Sequence, residues 1–164
     1  MALIIRMADG NDLKDVLDVG RRTWPVVYGP IAGEEYVAMG LAKWWTEDAT
    51  IPAIRAGRVT VAELDGTVVG IASVGPHENH LVLWKLYVLP EYQGKAIGSA
   101  LMDSVVASAR GVHREIRLSY LDGNSLAEAF YRSKGFVEIS RESGGDGIPE
   151  SVWMQLELES KEQV

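Results

Sequence analysis

The sequence predicts an α/β or α+β domain, one sheet covered by helices. Runs of β-branched residues alternate with helically spaced segments in the order strand, helices, three strands, helix, strand, helix, strand, strand. Two of the runs are joined by Asp65-Gly66, a strong hairpin signal. No repeat, low-complexity tract or linker interrupts the 164 residues, so residues 1–164 read as a single domain. A repeating βαβ barrel does not fit that order.

The elements follow from local chemistry. "ALIIRMA" is a first strand. "DLKDVLDVGRRTW" carries Leu13, Val16, Leu17 and Gly20 at helical spacing, and Pro25 is expected to end that helix. "GEEYVAMGLAKWW" and "TEDATIPAIRAG" give one or two short helices, with Thr46 as an N-cap. "RVTVAEL" and "TVVGIASVG" form the hairpin. "HLVLWKLYVL" returns beside them after a turn expected around Gly75-Pro76. In "GSALMDSVVASAR", Leu101, Val105 and Ala109 share one helical face. "EIRLSYL" is a strand, "NSLAEAFYRSKG" a helix closed by Gly135, and "FVEISRE" and "SVWMQLELE" are the last two strands.

Composition excludes several classes of function. The chain has no cysteine, which rules out disulfides, thiolate zinc sites and thiol nucleophiles and suits a reducing cytoplasm. A net charge of −7 argues against general nucleic-acid binding and mildly favours cationic partners. The N-terminal apolar run is too short for a signal peptide, and no run is long enough to span a bilayer.

The segment "PEYQGKAIGSALM" is the most informative for chemistry. A strand ends at Leu89-Pro90, glycines at 94 and 98 let backbone approach a ligand closely, and a helix starts at about Ile97 to Ser99. A helix N-terminus presents free N–H groups and the positive end of the dipole, and Lys95 adds a charge; together these suit a pyrophosphate. The segment lacks both the G-K-[ST] ending of a Walker loop and the full G-x-G-x-x-G, so a nucleotide site is disfavoured.

"LYVLPEYQGKAIGSALM" resembles motif A of the GCN5-related N-acetyltransferases, [Q/R]-x-x-G-x-[G/A], with Gln93 first and Gly98 last. Ala96 stands where that signature has its central glycine. A helical Ala96 would be harmless; one with positive φ would be strained, and the helical conformation is the expected one. "NSLAEAFYRSKGF" resembles motif B, N-x-x-A-x-x-F-Y-x-x-x-G-F, at Asn124, Ala127, Phe130, Tyr131, Gly135 and Phe136. The resemblance implies a mixed, mostly antiparallel sheet of about six to seven strands flanked by helices. It also implies acetyl-CoA as acetyl donor, with no metal, and direct attack by an amine without an acyl-enzyme.

Carried over residue by residue, the resemblance has the main chain of Leu86, Tyr87 and Val88 pair with the pantetheine arm. Gln93, Gly94, Lys95, Ala96, Ile97, Gly98 and Ser99 would hold the pyrophosphate. Asn124 would bond the pantetheine beside Ala127, and Tyr131 would sit near the sulfur as general acid. A backbone N–H near Val88 would polarise the carbonyl. The glutamate that some relatives carry on the preceding strand would fall at Val82 or Trp84, neither of which accepts a proton. His80 is then a candidate base acting through water, Glu78 a second, and an amine arriving neutral needs neither.

The acceptor side is expected from "RRTWPVVYGPIAGEEY" and "ESGGDGIPES", with Trp24, Tyr28 and Tyr36 walling a pocket and Glu34 or Glu35 attracting an ammonium. Trp24, Trp44 and Trp45 have packing as their competing role. Small amines, polyamines, amino acids, aminoglycosides and protein N-termini all fit, and acidity tilts the choice to a small cationic amine. A CoA-binding regulatory module without catalysis is the alternative. The last strand is expected at a sheet edge, where it would pair with a second copy to make a homodimer.

Overall fold

The computed structural model describes residues 2–145 and 147–158. Strand β1 (Leu3–Met7) leads through a short 3-10 turn to α1 (Leu13–Ala32), α2 (Glu34–Trp44) and α3 (Glu47–Arg55). Then come β2 (Val59–Leu64), β3 (Thr67–His77), β4 (His80–Val88), α4 (Ile97–Ala109), β5 (Glu115–Leu121), α5 (Ser125–Ser133), β6 (Val137–Glu142) and β7 (Ser151–Glu157). They form one seven-stranded sheet in the order β1-β2-β3-β4-β5-β7-β6. Every neighbouring pair is antiparallel except β4 and β5.

Neighbouring residues of β3 show how the helices cover the sheet. A side chain at Gly70 would meet Leu101 of α4 at 3.2 Å, whereas Ile71, pointing to the opposite face, shares a cavity with Val16 of α1 and Thr50 of α3. So α4 packs on one face and α1 and α3 on the other. Helices α1 and α2 interlock reciprocally: a Cβ at Gly20 would come 2.0 Å from the Trp45 ring, and one at Gly40 2.0 Å from Trp24. Only glycine admits those indoles. The start of α1 is tied to the sheet by Arg6, which donates to both oxygens of buried Asp12 (2.8 and 2.9 Å) and to Glu63 (3.0 Å).

Thr46 caps α3 as expected, accepting from the Ala49 N–H, and Asp65-Gly66 turns β2 into β3 with φ of 50° and 86°. Three expectations are corrected. Helix α1 does not end at Pro25 but runs through Pro25 and Pro30 to Ala32. Proline inside a helix costs about 3 kcal/mol, yet continuing the helix packs Trp24 and Tyr28, with centroids 4.4 Å apart, into one aromatic cluster. Gly75-Pro76 is not a turn; β3 continues to His77, and the reversal falls at Glu78-Asn79, with φ of 49° and 70°. Both central residues therefore have the positive φ that a two-residue hairpin loop requires. Finally, β7 is interior, between β5 and β6, so edge pairing through it is excluded; the edges are β1 and the fully exposed β6.

Candidate active site

The site grows from a defect in sheet pairing. Strands β4 and β5 pair only at Leu81–Ile116 and Val82–Arg117, and beyond Val82 they part. Leu86, Tyr87 and Val88 remain paired to β3 through Ala72, Ile71 and Gly70, which leaves their other edge open toward β5. Such an edge accepts an extended ligand as an added strand. The opening becomes a cleft of about 680 Å³, roofed by Thr23, Val26, Val27 and Ile31 of α1 and floored by the turn before α4 and by α5.

At one end lies the turn. The N–H of Ala100 is the first of α4 to bond back along the helix, to the Ala96 carbonyl at 3.1 Å. The N–H groups of Ile97, Gly98 and Ser99 are thus left without helical partners. Gln93 braces the turn by donating from Nε2 to the Val88 carbonyl at 3.0 Å. Gly94 has φ +80°, a left-handed conformation that favours glycine. Gly98 is different: a Cβ there would meet only Val88 and Phe130, at 3.8 and 4.0 Å. The protein's own packing does not require glycine at 98, but a ligand lying against that wall would.

Ala96 corrects the helical expectation. It takes φ 62° and ψ 16°, the left-handed region, as the N-cap of α4. An alanine held there is strained by about 1 kcal/mol.

At the other end, Asn124 caps α5. Its Oδ1 accepts from the Ala127 N–H at 3.3 Å, which leaves its amide N–H groups for the cleft it lines. Tyr131 lines the same cleft, within a cluster of rings: Phe130 (5.7 Å between centroids), Phe136 (6.0 Å) and Tyr120 (6.3 Å). Burial, and secondarily the neighbouring Tyr28, hold the Tyr131 phenol well above its ordinary pKa of 10.0. Burial also pushes Tyr28 up to about 12 and raises Tyr87 well above its ordinary value, while their hydroxyls bond each other at 2.8 Å. All three phenols therefore stay protonated at neutral pH.

The cleft gathers Tyr28, Leu86, Tyr87, Val88, Gln93, Gly94, Ala96, Ile97, Gly98, Ser99, Asn124, Ala127 and Tyr131. It leaves out several expected residues, Tyr36 and Glu35 among them. Lys95 is exposed on the turn and does not line the cleft. Trp24 is 5% exposed and packs under Gly40, between Tyr36 (5.7 Å, stacked) and Trp44 (5.6 Å), so it is core rather than pocket wall. Glu34 opens α2 on the exposed surface, beyond the lining. His80 begins β4, six residues before Leu86, roughly 20 Å at strand rise. Its Nδ1 is bonded to Glu115 at 2.7 Å, so it is not placed to act as base. Glu78, in the β3–β4 turn, lies at that same far end.

Spacing alone missed other residues. Lys134 donates to the Ser99 hydroxyl at the start of α4 and to Asp103 at 3.2 Å, bringing the positive charge that Lys95 does not. Its signal was a cation at the C-terminal end of α5, but nothing local links 134 to 99. Tyr92 and Ser119 also line the cleft. Among the described residues, no carboxylate, histidine, lysine or arginine does so. No group of three or more metal-ligating side chains occurs among them, and no helix is long and apolar enough to cross a membrane.

The family pattern described as the acetyltransferase (GNAT) domain matches residues 55–138. Spermidine N(1)-acetyltransferase of Thermoplasma acidophilum is 27% identical over 158 residues, 92% of this chain and 97% of that relative. L-amino acid N-acyltransferase of Escherichia coli is 28% identical over 114 residues, 63% of this chain and 66% of the relative. Among solved structures, an N-acetyltransferase of Thermoplasma acidophilum in complex with coenzyme A superposes with a TM-score of 0.80 at 24% identity, covering 96% of this chain and 99% of that one. A protein from Salmonella typhimurium crystallised with acetyl-CoA gives 0.71 at 22% identity, over 98% and 96%.

Proposed function

The chain belongs to the GNAT acetyltransferase family and is an acyl-CoA-dependent N-acetyltransferase; on that premise we propose that its acceptor is a small cationic amine and that Tyr131 is the general acid. The observation that carries the reading is the cleft itself: an open strand edge, a helix N-terminus and a protonated phenol line one uncharged cavity.

The residues fit the donor. The free edge of Leu86–Val88 would take the pantetheine, with Asn124 donating to it from the opposite wall. The N–H groups of Ile97, Gly98 and Ser99 would take the pyrophosphate, with Lys134 behind Ser99. Acetyl-CoA supplies an acyl group activated as a thioester, which the amine nitrogen takes directly. A backbone N–H of the Leu86–Val88 segment would favour the carbonyl oxygen as it gains charge. As the carbon–sulfur bond breaks, Tyr131 gives its Oη proton to the sulfur. It recovers a proton through water from the new amide nitrogen, so proton count balances without a dedicated base. With no acid or base other than phenols among the lining residues, the amine must bind already neutral at the reacting nitrogen. The overall charge of −7 and the likeness to a spermidine acetyltransferase support a cationic small-molecule acceptor.

The test is thiol release from acetyl-CoA over a panel of amines. Turnover is expected for small amines, with kcat/KM rising with pH toward each amine's own pKa. Tyr131→Phe is expected to lower kcat by roughly 10² while leaving acetyl-CoA affinity within about twofold. Saturable acetyl-CoA binding with no turnover on any amine would instead support the non-catalytic module.

A further inference from the structure

We propose that the cavity between α3 and strands β2, β3 and β4 is a second binding site, one that takes a small monocarboxylate with an apolar body. It is distinct from the acetyl-transfer cleft and its occupant needs no amine, so it stands whatever the acceptor is.

The cavity holds about 320 Å³, within the ~300–1,000 Å³ of small-ligand pockets. Its floor is a row across three strands. Ser73 of β3 pairs with Val59 of β2 on one side and with Lys85 of β4 on the other, and cross-strand partners share a face. Its roof is α3, where Ala49 and Ala53 stand one turn apart and are too small to fill the space. Trp44, at the end of α2, and Trp84 add indoles to the wall. Strand alternation would send Trp84 and Lys85 to opposite faces. Ser73 pairs with Lys85 and Val74 with Leu83, however, so Trp84 is the extra residue of a β-bulge, and both residues line the cavity.

The charge in this cavity has one sign. Lys85 and Arg58 line it, neither takes part in an ion pair among the described residues, and no carboxylate among them lines it. That is selective in a chain with 23 Asp and Glu against 16 Lys and Arg. The Lys85 ammonium donates to one backbone carbonyl, that of Trp44, which uses one of its three N–H donors. Burial holds its pKa down at about 8, so at neutral pH it is a charged group kept at a cost, which a bound carboxylate would offset.

A hydroxyl supplies the second, independent observation. Thr50, beside Ala49 on α3, lines the cavity and is 2% exposed, and its Oγ1 has no hydrogen-bond partner among the described residues. An orphaned buried hydroxyl calls for a polar partner from outside the chain. Much of the remaining lining is apolar, with Val16, Val59 and Ile71 beside the two indoles, so the ligand joins one anionic group to a hydrophobic body. A phosphate or a dicarboxylate would press unpaired charge against that wall.

The probe is sodium benzoate, titrated into the full chain at pH 7 and constant ionic strength and followed by calorimetry and thermal unfolding. Saturable binding is expected, with Tm rising as benzoate is added; the uncharged analogue benzyl alcohol should produce neither. Lys85→Met should weaken benzoate by about tenfold or more. Ala53→Leu, which fills the cavity without altering charge, should do the same. Saturating coenzyme A should leave benzoate affinity within about twofold, because the two sites are distinct. Benzoate that fails to saturate, is displaced by coenzyme A, binds Lys85→Met equally well or is matched by benzyl alcohol overturns the proposal. If Lys85→Met does not fold, Ala53→Leu and the coenzyme A competition decide. Failure to acetylate any amine would sink the functional reading alone, since the benzoate titration does not depend on turnover.

Discussion

The hydroxyls of Tyr28 and Tyr87 lie 2.8 Å apart and bond each other, joining the cleft-facing half of α1 to the strand that presents the open edge. Both phenols are neutral, held so by burial, and the bond ties the α1 roof of the cleft to β4. Tyr28→Phe strands the Tyr87 hydroxyl in a buried place. It should cost about 1–2 kcal/mol, read by urea denaturation, and loosen acetyl-CoA binding. The double change to phenylalanine should cost less than the sum of the two single changes. Strict additivity would show that the bond does not couple the two elements.

Gly98 separates a requirement of folding from one of binding. Its missing Cβ would meet only ordinary contacts, at 3.8 and 4.0 Å, yet it lines the cleft beside the free N–H groups of α4. Gly98→Ala is expected to leave thermal stability unchanged or slightly raised, since alanine favours a helix. Acetyl-CoA affinity should fall by tenfold or more, measured by calorimetry. Affinity within twofold of wild type would mean that the ligand does not approach this wall.

Ala96 gives the opposite pattern. Its left-handed conformation strains the turn, and glycine there relieves about 1 kcal/mol, partly offset by greater freedom in the unfolded chain. Ala96→Gly should therefore raise Tm by about 1–3 °C and leave acetyl-CoA affinity equal or better. A lower Tm would indicate that unfolded-chain entropy dominates.

Much of this architecture was legible because it is written in local spacing. Asp65-Gly66, the Thr46 cap and the asparagine-capped start of α5 each specify their own backbone, and the structure follows them. What was not legible depends on contacts between distant residues. Pro25 reads as a helix stop, and only the packing of Trp24 against Gly40 reveals why the helix continues. His80 was placed near the chemistry by alternation along β4, but alternation does not measure distance from the cleft, and the Trp84 bulge breaks it. Lys134 reaches Ser99 across 35 positions. The helical expectation for Ala96 fails because the turn closes through a left-handed N-cap, which no local spacing specifies.

Lys85 offers a test that owes nothing to ligands. Its ammonium donates to the Trp44 carbonyl at 2.6 Å and lies 4.0 Å from the centre of the Trp45 ring, with no carboxylate among the described residues bonded to it. The hydrogen bond and the ring favour the charged form, but burial opposes it and prevails, pulling the pKa down to about 8 from 10.5. A lysine depressed in the folded state binds its proton less tightly there than in the unfolded chain. Its penalty is absent above about pH 10.5, grows as pH falls, and is complete below about pH 8. Stability from this group should therefore rise between pH 8 and 10.5 by up to about 3 kcal/mol, less whatever the ring returns. Lys85→Met keeps the aliphatic stem and removes the titration. Urea denaturation at pH 7, 9 and 10.5 should show the difference between wild type and variant shifting toward wild type with rising pH. A difference constant across that window would show that Lys85 titrates normally and that its burial costs nothing.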